Sequence, residues 1–376
     1  MTQDLVIVGS GIVGLAHALA AIRRGLKPLV IDRDARPSGA SIRNFGFITV
    51  TGQGRGETWR RARRSAEIWA EVAPKAGIAV EQRGLWVVAR RPEAVPVLEA
   101  FMGTEMGEAC ELLAPASARA RLAEVRPDML SAALFSPHEL RVESREAIPR
   151  LVAWLAELGV EFRFRCAAQS IHEDGVETSR GFIRAQTVIA CPGDDLSTLY
   201  PQAYEDKAVT RCVLQMLRLE SPGFRTPAPL MSDLSLVRYR GYAELPEAQL
   251  LLERLNLEQA PHLSHGIHLI AVQGRDGSLV VGDSHHYADA PEPFAANEVE
   301  TLILDELEAT LGARPEVRER WTGTYASAGA DMFRTAPLPN VRHVVVTSGT
   351  GASTAFAIAD ETLEDMFGPP RGRDAC

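Results

Sequence analysis

Three glycines and one acid carry the clearest chemistry in this 376-residue chain. Gly9, Gly11 and Gly14 follow an apolar run at 5–8 and open a helix-like run at 12–24, and a second apolar run at 28–31 ends in Asp32 and Arg33. Strand, G-x-G-x-x-G, helix, strand and acid in that order make a βαβ unit that binds a dinucleotide. Gly9 permits the tight turn, Gly11 lets the backbone approach a pyrophosphate, and Gly14 lets the helix lie close to the strand. The helix N-terminus adds free N–H groups and a positive dipole end, and Asp32 accepts hydrogen bonds from ribose hydroxyls. Other groupings carry less. His262, His265 and His268 recur at spacing three, but across a proline and a glycine at a strand entry and without a neighbouring cysteine or well-placed acid, so no metal site is expected. Cys110, Cys166, Cys191, Cys212 and Cys376 are scattered with no C-x-x-C, which argues against a disulfide framework or a zinc site.

Composition narrows the class. A formal charge of −9 argues against nucleic acid or an anionic membrane as a partner, since either would need a basic face. The N-terminus enters its first strand at once, with no charged and apolar leader, and nowhere do about 18 apolar residues run together. The expectation is a soluble, cytoplasmic protein with no membrane insertion. The length predicts two domains. Lysine stands only at 27, 75 and 207, the rest of the 40 basic residues being arginine.

The elements that must position these residues follow from periodicity. After Asp32 comes an irregular, glycine-rich segment, 36–56, too rich in small polar residues to be a mere connector. A helix is predicted over 58–73, with Trp59, Ala62, Ala66, Trp69 and Ala73 on one stripe and the arginines at 60, 61, 63 and 64 mostly on a solvated face. The segment 77–139 reads as the start of a different domain, with a strand at 84–89, helices and several prolines. A helix at 147–159 and strands at 161–165, 169–172 and 187–190 read as a return to the nucleotide domain. Strands at 214–219, 268–273 and 278–282 belong to a second sheet, the last two joined by a turn at Asp276-Gly277. A helix at 298–311, a buried strand at 341–348 and a final helix to Phe367 complete the chain.

The fingerprint at Gly9, the loop Ser41-Ile42-Arg43-Asn44-Phe45-Gly46, the strand and turn ending Cys191-Pro192-Gly193, and Val344 to Gly351 near the C-terminus occur in a telling order. Order and spacing resemble the FAD-dependent D-amino-acid oxidase, glycine oxidase and sarcosine oxidase superfamily, over nearly the whole chain. The resemblance implies an α/β fold: a Rossmann-type, glutathione-reductase-like FAD-binding domain made of 1–76, 141–207 and 322–376, and a mixed-sheet α+β substrate domain made of 77–140 and 208–321. It also implies FAD rather than NAD, which the fingerprint alone does not decide. Carried over by position, Gly9, Gly11 and Gly14 flank the pyrophosphate with Ile12 and Val13 beside them, and Asp32 and Arg33 stand at the adenosine ribose. Ser41, Arg43, Asn44 and Gly46 line the flavin side, Ala168 presents backbone to the adenine end, and Cys191 and Gly193 close the cleft. Gly349, Thr350, Gly351 and Ser353 hold the isoalloxazine from the last helix, whose dipole favours negative charge there. The chain departs from the superfamily at Ala352-Ser353-Thr354, where a further glycine is usual, and 320–334 lacks the cysteine that anchors FAD in sarcosine oxidases. Non-covalent FAD is therefore expected.

A narrower resemblance rests on Cys191-Pro192-Gly193-Asp194-Asp195, on 211–218, and on Gly282-Asp283-Ser284-His285-His286-Tyr287. These look like a subfamily associated with bacterial phosphonate degradation, which implies a small anionic amine as substrate, an aminophosphonate related to 2-aminoethylphosphonate in N-methyl or hydroxy form. Amine oxidation by flavin needs a C–H held against the cofactor, a cation for the substrate anion, and a neutral amine. Adjacent strand residues face opposite ways, so at most one of His285 and His286 points at the flavin, and the resemblance puts His285 first. Tyr287 and Tyr325 frame the pocket, and the anion is assigned to Arg43 or Arg211, ahead of Arg238, Arg240 and Arg334. None of the three lysines falls where sarcosine-type oxidases promote reaction with oxygen, so the electron acceptor is O2 or another molecule. Oxidation of a hydroxy acid or polyol phosphate, glycine or D-amino-acid oxidation, and a flavin-bearing subunit of a larger dehydrogenase are the competing readings.

Overall fold

Leu5–Val8 is buried at every position, the pattern of a strand covered on both faces. In the computed structural model, which describes residues 2–369, this strand lies at the centre of a parallel array. Cys376 and the rest of 370–376 lie outside the described residues. Leu5–Val8 pairs in parallel with Pro28–Ile31 and Val188–Ala190; Glu161–Arg163 and Val341–Ser348 extend the array on either side. Chain segments more than 300 residues apart therefore share one five-stranded unit. Helices Ile12–Arg23 and Glu57–Lys75 both pack on Gly351–Phe367. Trp69 fixes that packing, its indole N–H donating to the Ala352 carbonyl at 2.8 Å while its ring meets Phe356 edge-on.

The other strands form a mixed sheet in the order Phe47–Ile48, Ala132–Val142, Val80–Ala89, Leu230–Ser232, Ile270–Gln273, Leu279–Gly282 and Thr210–Leu219. Val317–Thr335 joins it to the parallel array: 317–327 run antiparallel to Thr210–Leu219, and 327–335 run antiparallel to Val341–Ser348. Ala168–His172, Gly175–Thr178 and Gly181–Arg184 make a separate three-stranded sheet. The architecture is the expected α/β fold, a Rossmann-type unit with a large mixed sheet. Among the described residues no helix is long and apolar enough to cross a membrane.

Several elements differ from the sequence reading, for local reasons. The strand expected at 84–89 begins at Val80, because a register shift between Arg83 and Leu85 interrupts its alternation. Its partner Ala132–Val142 contains Pro137, and 137–139 bulge out between the pairs Leu85–Ser136 and Arg83–Leu140, which hides the strand in the sequence. Val317–Thr335 went unforeseen because Gly323, Gly329 and Ala326-Ser327-Ala328 give it no apolar alternation. By contrast Val341–Ser348 and the end of the last helix at Phe367 lie where expected.

Gly14 shows how the first helix reaches its strand. A Cβ there would stand 1.9 Å from the Gly9 carbonyl oxygen, backbone that cannot move aside. Gly14→Ala is expected to lower unfolding stability by about 1–3 kcal/mol or more, the range for overpacking, and urea denaturation of the variant beside the parent checks it.

Candidate active site

At the first βαβ unit, contacts within the unit are completed by two from outside it, Cys191 and Ser41. Gly9 turns with φ +100°, and a Cβ there would meet the Cys191 carbonyl oxygen at 2.3 Å, so the first strand and Val188–Ala190 close on each other only over glycine. The Ser10 N–H and hydroxyl donate to Asp32 Oδ2 at 2.7 and 2.5 Å, and the Asp34 N–H donates to Asp32 Oδ1 at 2.9 Å. Asp32 is thereby fixed at the end of its strand. The 36–56 segment folds back, with Ser41 Oγ accepting the Ile12 N–H at 2.9 Å. Asn44 shapes that loop by donating to the Ala40 carbonyl and accepting the Gly46 N–H.

A cavity of about 820 Å³ runs along these residues. Its walls include Gly9, Gly11, Ile12, Val13, Asp32 and Arg33 from the first unit and Ser41, Arg43 and Asn44 from the loop. Ala168, Cys191 and Gly193 belong to the middle segment, and Gly349, Thr350, Gly351 and Ser353 to the C-terminal turn. Gly14 and Gly46 are not on the wall. Both act by close packing, since a Cβ on Gly46 would stand 1.7 Å from the Val142 carbonyl oxygen. Arg33 is paired with Asp195 at 2.8 Å. Ser353 Oγ accepts the Thr49 N–H at 2.9 Å, which joins the last helix to the loop segment.

His285 and Tyr325 also line the cavity; His286 and Arg211 do not. His286 is exposed and its Nε2 meets His265 Nδ1 at 3.1 Å, because the strand alternation turns it outward. Arg211 is spent on the carbonyls of Asp194 and Asp289. Arg43 reaches the wall but its Nε donates to the Ser38 carbonyl. Of the remaining arginines, Arg334 turns to Thr362 and Arg240 pairs with Glu244. Arg238 is different. It lines the cavity, donates to the Tyr287 hydroxyl at 2.7 Å, and among the described residues has no carboxylate within ion-pair distance.

Sequence reasoning missed Asp283 and His268 as wall residues. The signal for Asp283 was present, an acid directly after the wholly buried strand Leu279–Gly282. His268 was weighed only with His262 and His265, which the fold separates: His262 faces the Leu302 carbonyl and His265 faces His286. His268, Asp283 and His285 instead converge, with one ligand-type atom from each within 4.8 Å of the others. Burial, reinforced by the Arg238 charge, holds both imidazoles well below the ordinary histidine pKa, so both are neutral. Burial pushes the Asp283 carboxyl up to about 7, against the opposing pull of Arg238.

The cavity suits a flavin dinucleotide. Two helix N-termini, those of Ile12–Arg23 and Gly351–Phe367, meet the cavity through Gly11 and Gly351, and neither cap residue supplies a side-chain bond to its helix. Gly349 lies against the Tyr325 ring, where a Cβ would come within 3.1 Å of Cζ. The family described as DAO, FAD dependent oxidoreductase, matches residues 4–364, and the chain belongs to it. FAD is its cofactor. N-methyl-L-tryptophan oxidase of Citrobacter koseri is 28% identical over 210 residues, 54% of this chain and 56% of the relative; the chain thus spans just over half the length of that curated relative. Glycine oxidase from Geobacillus kaustophilus superposes with a TM-score of 0.80 at 14% identity, covering 99% of this chain and 96% of that one. L-proline dehydrogenase from P. horikoshii gives 0.79 at 17% identity, covering 97% and 93%. These structures share the fold.

Asp32→Ala removes the acceptor that holds Ser10 and that, on the fingerprint reading, would also take the ribose hydroxyls. FAD affinity is expected to fall roughly 10- to 100-fold, from hydrogen bonds to a charged group worth about 1.5–3 kcal/mol. Flavin fluorescence titration of the apoprotein measures it.

Proposed function

We propose that this protein oxidises a small anionic amine, an aminophosphonate related to 2-aminoethylphosphonate in its N-methyl or hydroxy form, and releases an aldehyde after imine hydrolysis. The observation that carries the reading is Arg238, a cation on the cavity wall with no carboxylate partner among the described residues. A planar guanidinium binds a phosphonate or carboxylate through paired hydrogen bonds, and the Tyr287 hydroxyl fixes one edge of it. Bound in the cavity, FAD supplies the acceptor for a hydride equivalent from the carbon beside the substrate nitrogen. The chain's own work is positioning: Arg238 draws the anion to one side, Tyr325 and the Gly349 turn form the wall beside the flavin, and the neutral pair His268 and His285 adds no charge to repel an amine. The relative named N-methyl-L-tryptophan oxidase supports an amine.

The proposal keeps the division into an FAD-binding part, 1–76, 141–207 and 322–376, and a substrate part, 77–140 and 208–321. It also keeps O2 or another molecule as electron acceptor. It places the enzyme in the cytoplasm, which suits Cys110, Cys166, Cys191 and Cys212, all buried and unpaired.

An anaerobic flavin-reduction screen over 2-aminoethylphosphonate, its N-methyl and hydroxy derivatives, sarcosine, glycine and D-amino acids tests this. Bleaching by an aminophosphonate with release of ammonia or methylamine is expected. Bleaching by amino acids alone overturns the aminophosphonate, and a carbonyl product without amine release points to an alcohol substrate. Arg238→Met is expected to raise the substrate concentration for half-maximal bleaching roughly 30-fold or more, as for loss of a charge-paired contact, with FAD still bound; Arg238→Lys should recover part of the loss.

A further inference from the structure

An amine enters at neutral pH as an ammonium, which has no lone pair to drive loss of hydride from its neighbouring carbon. Arg238 accounts for the substrate's anion and leaves that proton without a destination. The cluster beside it offers one. Asp283, His268 and His285 are 4%, 4% and 8% exposed, and all three line the cavity. His268 Nε2 lies 3.2 Å from Asp283 Oδ1 and His285 Nε2 lies 3.9 Å from Oδ2, so the carboxyl is held between two imidazoles whose rings stack at 5.2 Å. His285 Nδ1 donates to the Gly266 carbonyl at 3.0 Å, which leaves its Nε2 a bare acceptor toward Asp283. Asp283 Oδ1 and His268 Nδ1 are buried and accept or donate no hydrogen bond. A buried carboxyl with unfilled bonding capacity at a substrate cavity is unusual unless a ligand completes it.

We infer that Asp283 is the catalytic base that removes the substrate's ammonium proton, with His268 and His285 as positioning residues; this rests on the amine reading above. In the step, one N–H bond of the ammonium breaks and an O–H bond forms on the Asp283 carboxylate. The electron pair stays on nitrogen, and nothing is oxidised or reduced. The proton returns to solvent when product leaves.

The surroundings make Asp283 the group that changes charge near neutrality. The two histidines stay neutral, and Arg238 stays charged. From the neighbouring elements Tyr239, Tyr325 and Cys212 face it, and burial pushes all three up, Cys212 to about 11. Below pH 7 the carboxyl is protonated and cannot accept; above it the carboxylate is available. The same three donors are spaced for a divalent cation, but such an ion would sit beside the Arg238 guanidinium, which opposes it.

The test is anaerobic flavin reduction of the FAD-loaded enzyme across pH 5.5–9 with an amine that bleaches it. The parent should show a rising limb that breaks near pH 7, separate from the break of the free amine. Asp283→Asn should lose that limb and slow reduction at pH 8 by roughly 10²–10⁴-fold, and Asp283→Glu should restore the limb. Thermal unfolding supplies a readout independent of turnover. A carboxyl raised by folding costs stability as pH climbs from its unfolded value to its folded one, so Asp283→Asn should gain on the parent from pH 5.5 to about 7 and hold that gain to pH 8.5. A flat difference overturns the inference, as does an Asp283→Asn profile that still breaks near 7. Stoichiometric metal in the parent that is lost in Asp283→Asn also overturns it. Bleaching by no amine at all sinks the amine reading and this one with it, whereas bleaching by amines with an unchanged Asp283→Asn profile sinks this one alone.

Discussion

The double pairing of Val317–Thr335 sets the distance between the two halves of the cavity. Its first part is hydrogen-bonded along Thr210–Leu219 and its last part along Val341–Ser348, with a register shift between Ser327 and Met332 where it passes from one partner to the other. A strand tied on two sides cannot slide, because a one-residue slip would turn every side chain to the opposite face. Tyr325 lies just before that transfer, opposite Cys212, and its ring rests on the Gly349 turn that opens the last helix. Cys212 pairs on its other side with Tyr287, whose hydroxyl accepts from Arg238. Arg238 and the Gly349 turn are thus linked through the two ladders that join Tyr287, Cys212 and Tyr325, with a side-chain contact at each end.

Within that frame the Arg238 end of the cavity keeps very little net charge. Two imidazoles are neutral by burial, one carboxyl sits near its titration point, and one guanidinium is permanently charged. Opposed effects act on Asp283: desolvation raises its pKa while Arg238 lowers it, and desolvation is the larger. A closer ion pair between Arg238 and an acid would have neutralised the arginine and removed its ability to attract an anion. Hydrogen bonding to a tyrosine hydroxyl orients the guanidinium without that cost.

The dinucleotide half of the cavity was readable because its logic is local. Gly9, Gly11, Gly14 and Asp32 lie within 24 residues, and their spacing alone dictates strand, turn, helix and acid. Val341–Ser348 and the last helix were readable for the same reason, a largely buried strand built around three successive valines followed by a helix that starts at glycine. The other half was readable only in part: His285, Tyr325 and Arg238 were among the candidates, but Asp283 and His268 were not. Its wall gathers these five from segments that meet only through long-range pairing, and no periodicity connects them. Arg211 ranked ahead of Arg238 and His286 behind His285 in the sequence, and only backbone carbonyls and strand alternation separate the members of each pair in space. Thr210–Leu219 and Val80–Ala89 were each caught in part, since bulges and polar first residues conceal where such strands begin.

Arg238 owes its place to a buried ion network behind it. The short helical turn Asp233–Val237 ends one residue before Arg238, and Asp233 accepts the N–H groups of Arg90 and Arg91 at 3.1 and 3.0 Å as well as the Arg91 guanidinium at 2.8 Å. Arg90 in turn pairs with Glu306 at 3.0 Å, and the Asp233 and Glu306 side chains are wholly buried. Such pairs add little net stability, because removing two ions from water costs about as much as their attraction returns, although deleting one partner leaves an unpaired buried charge and costs about 3–5 kcal/mol. Apolar packing alone could close this space at lower desolvation cost, but it would not specify the direction in which the chain leaves the turn. Bonds from Asp233 to two successive backbone N–H groups do specify it. The network is therefore better understood as fixing where Arg238 enters the cavity than as a source of stability.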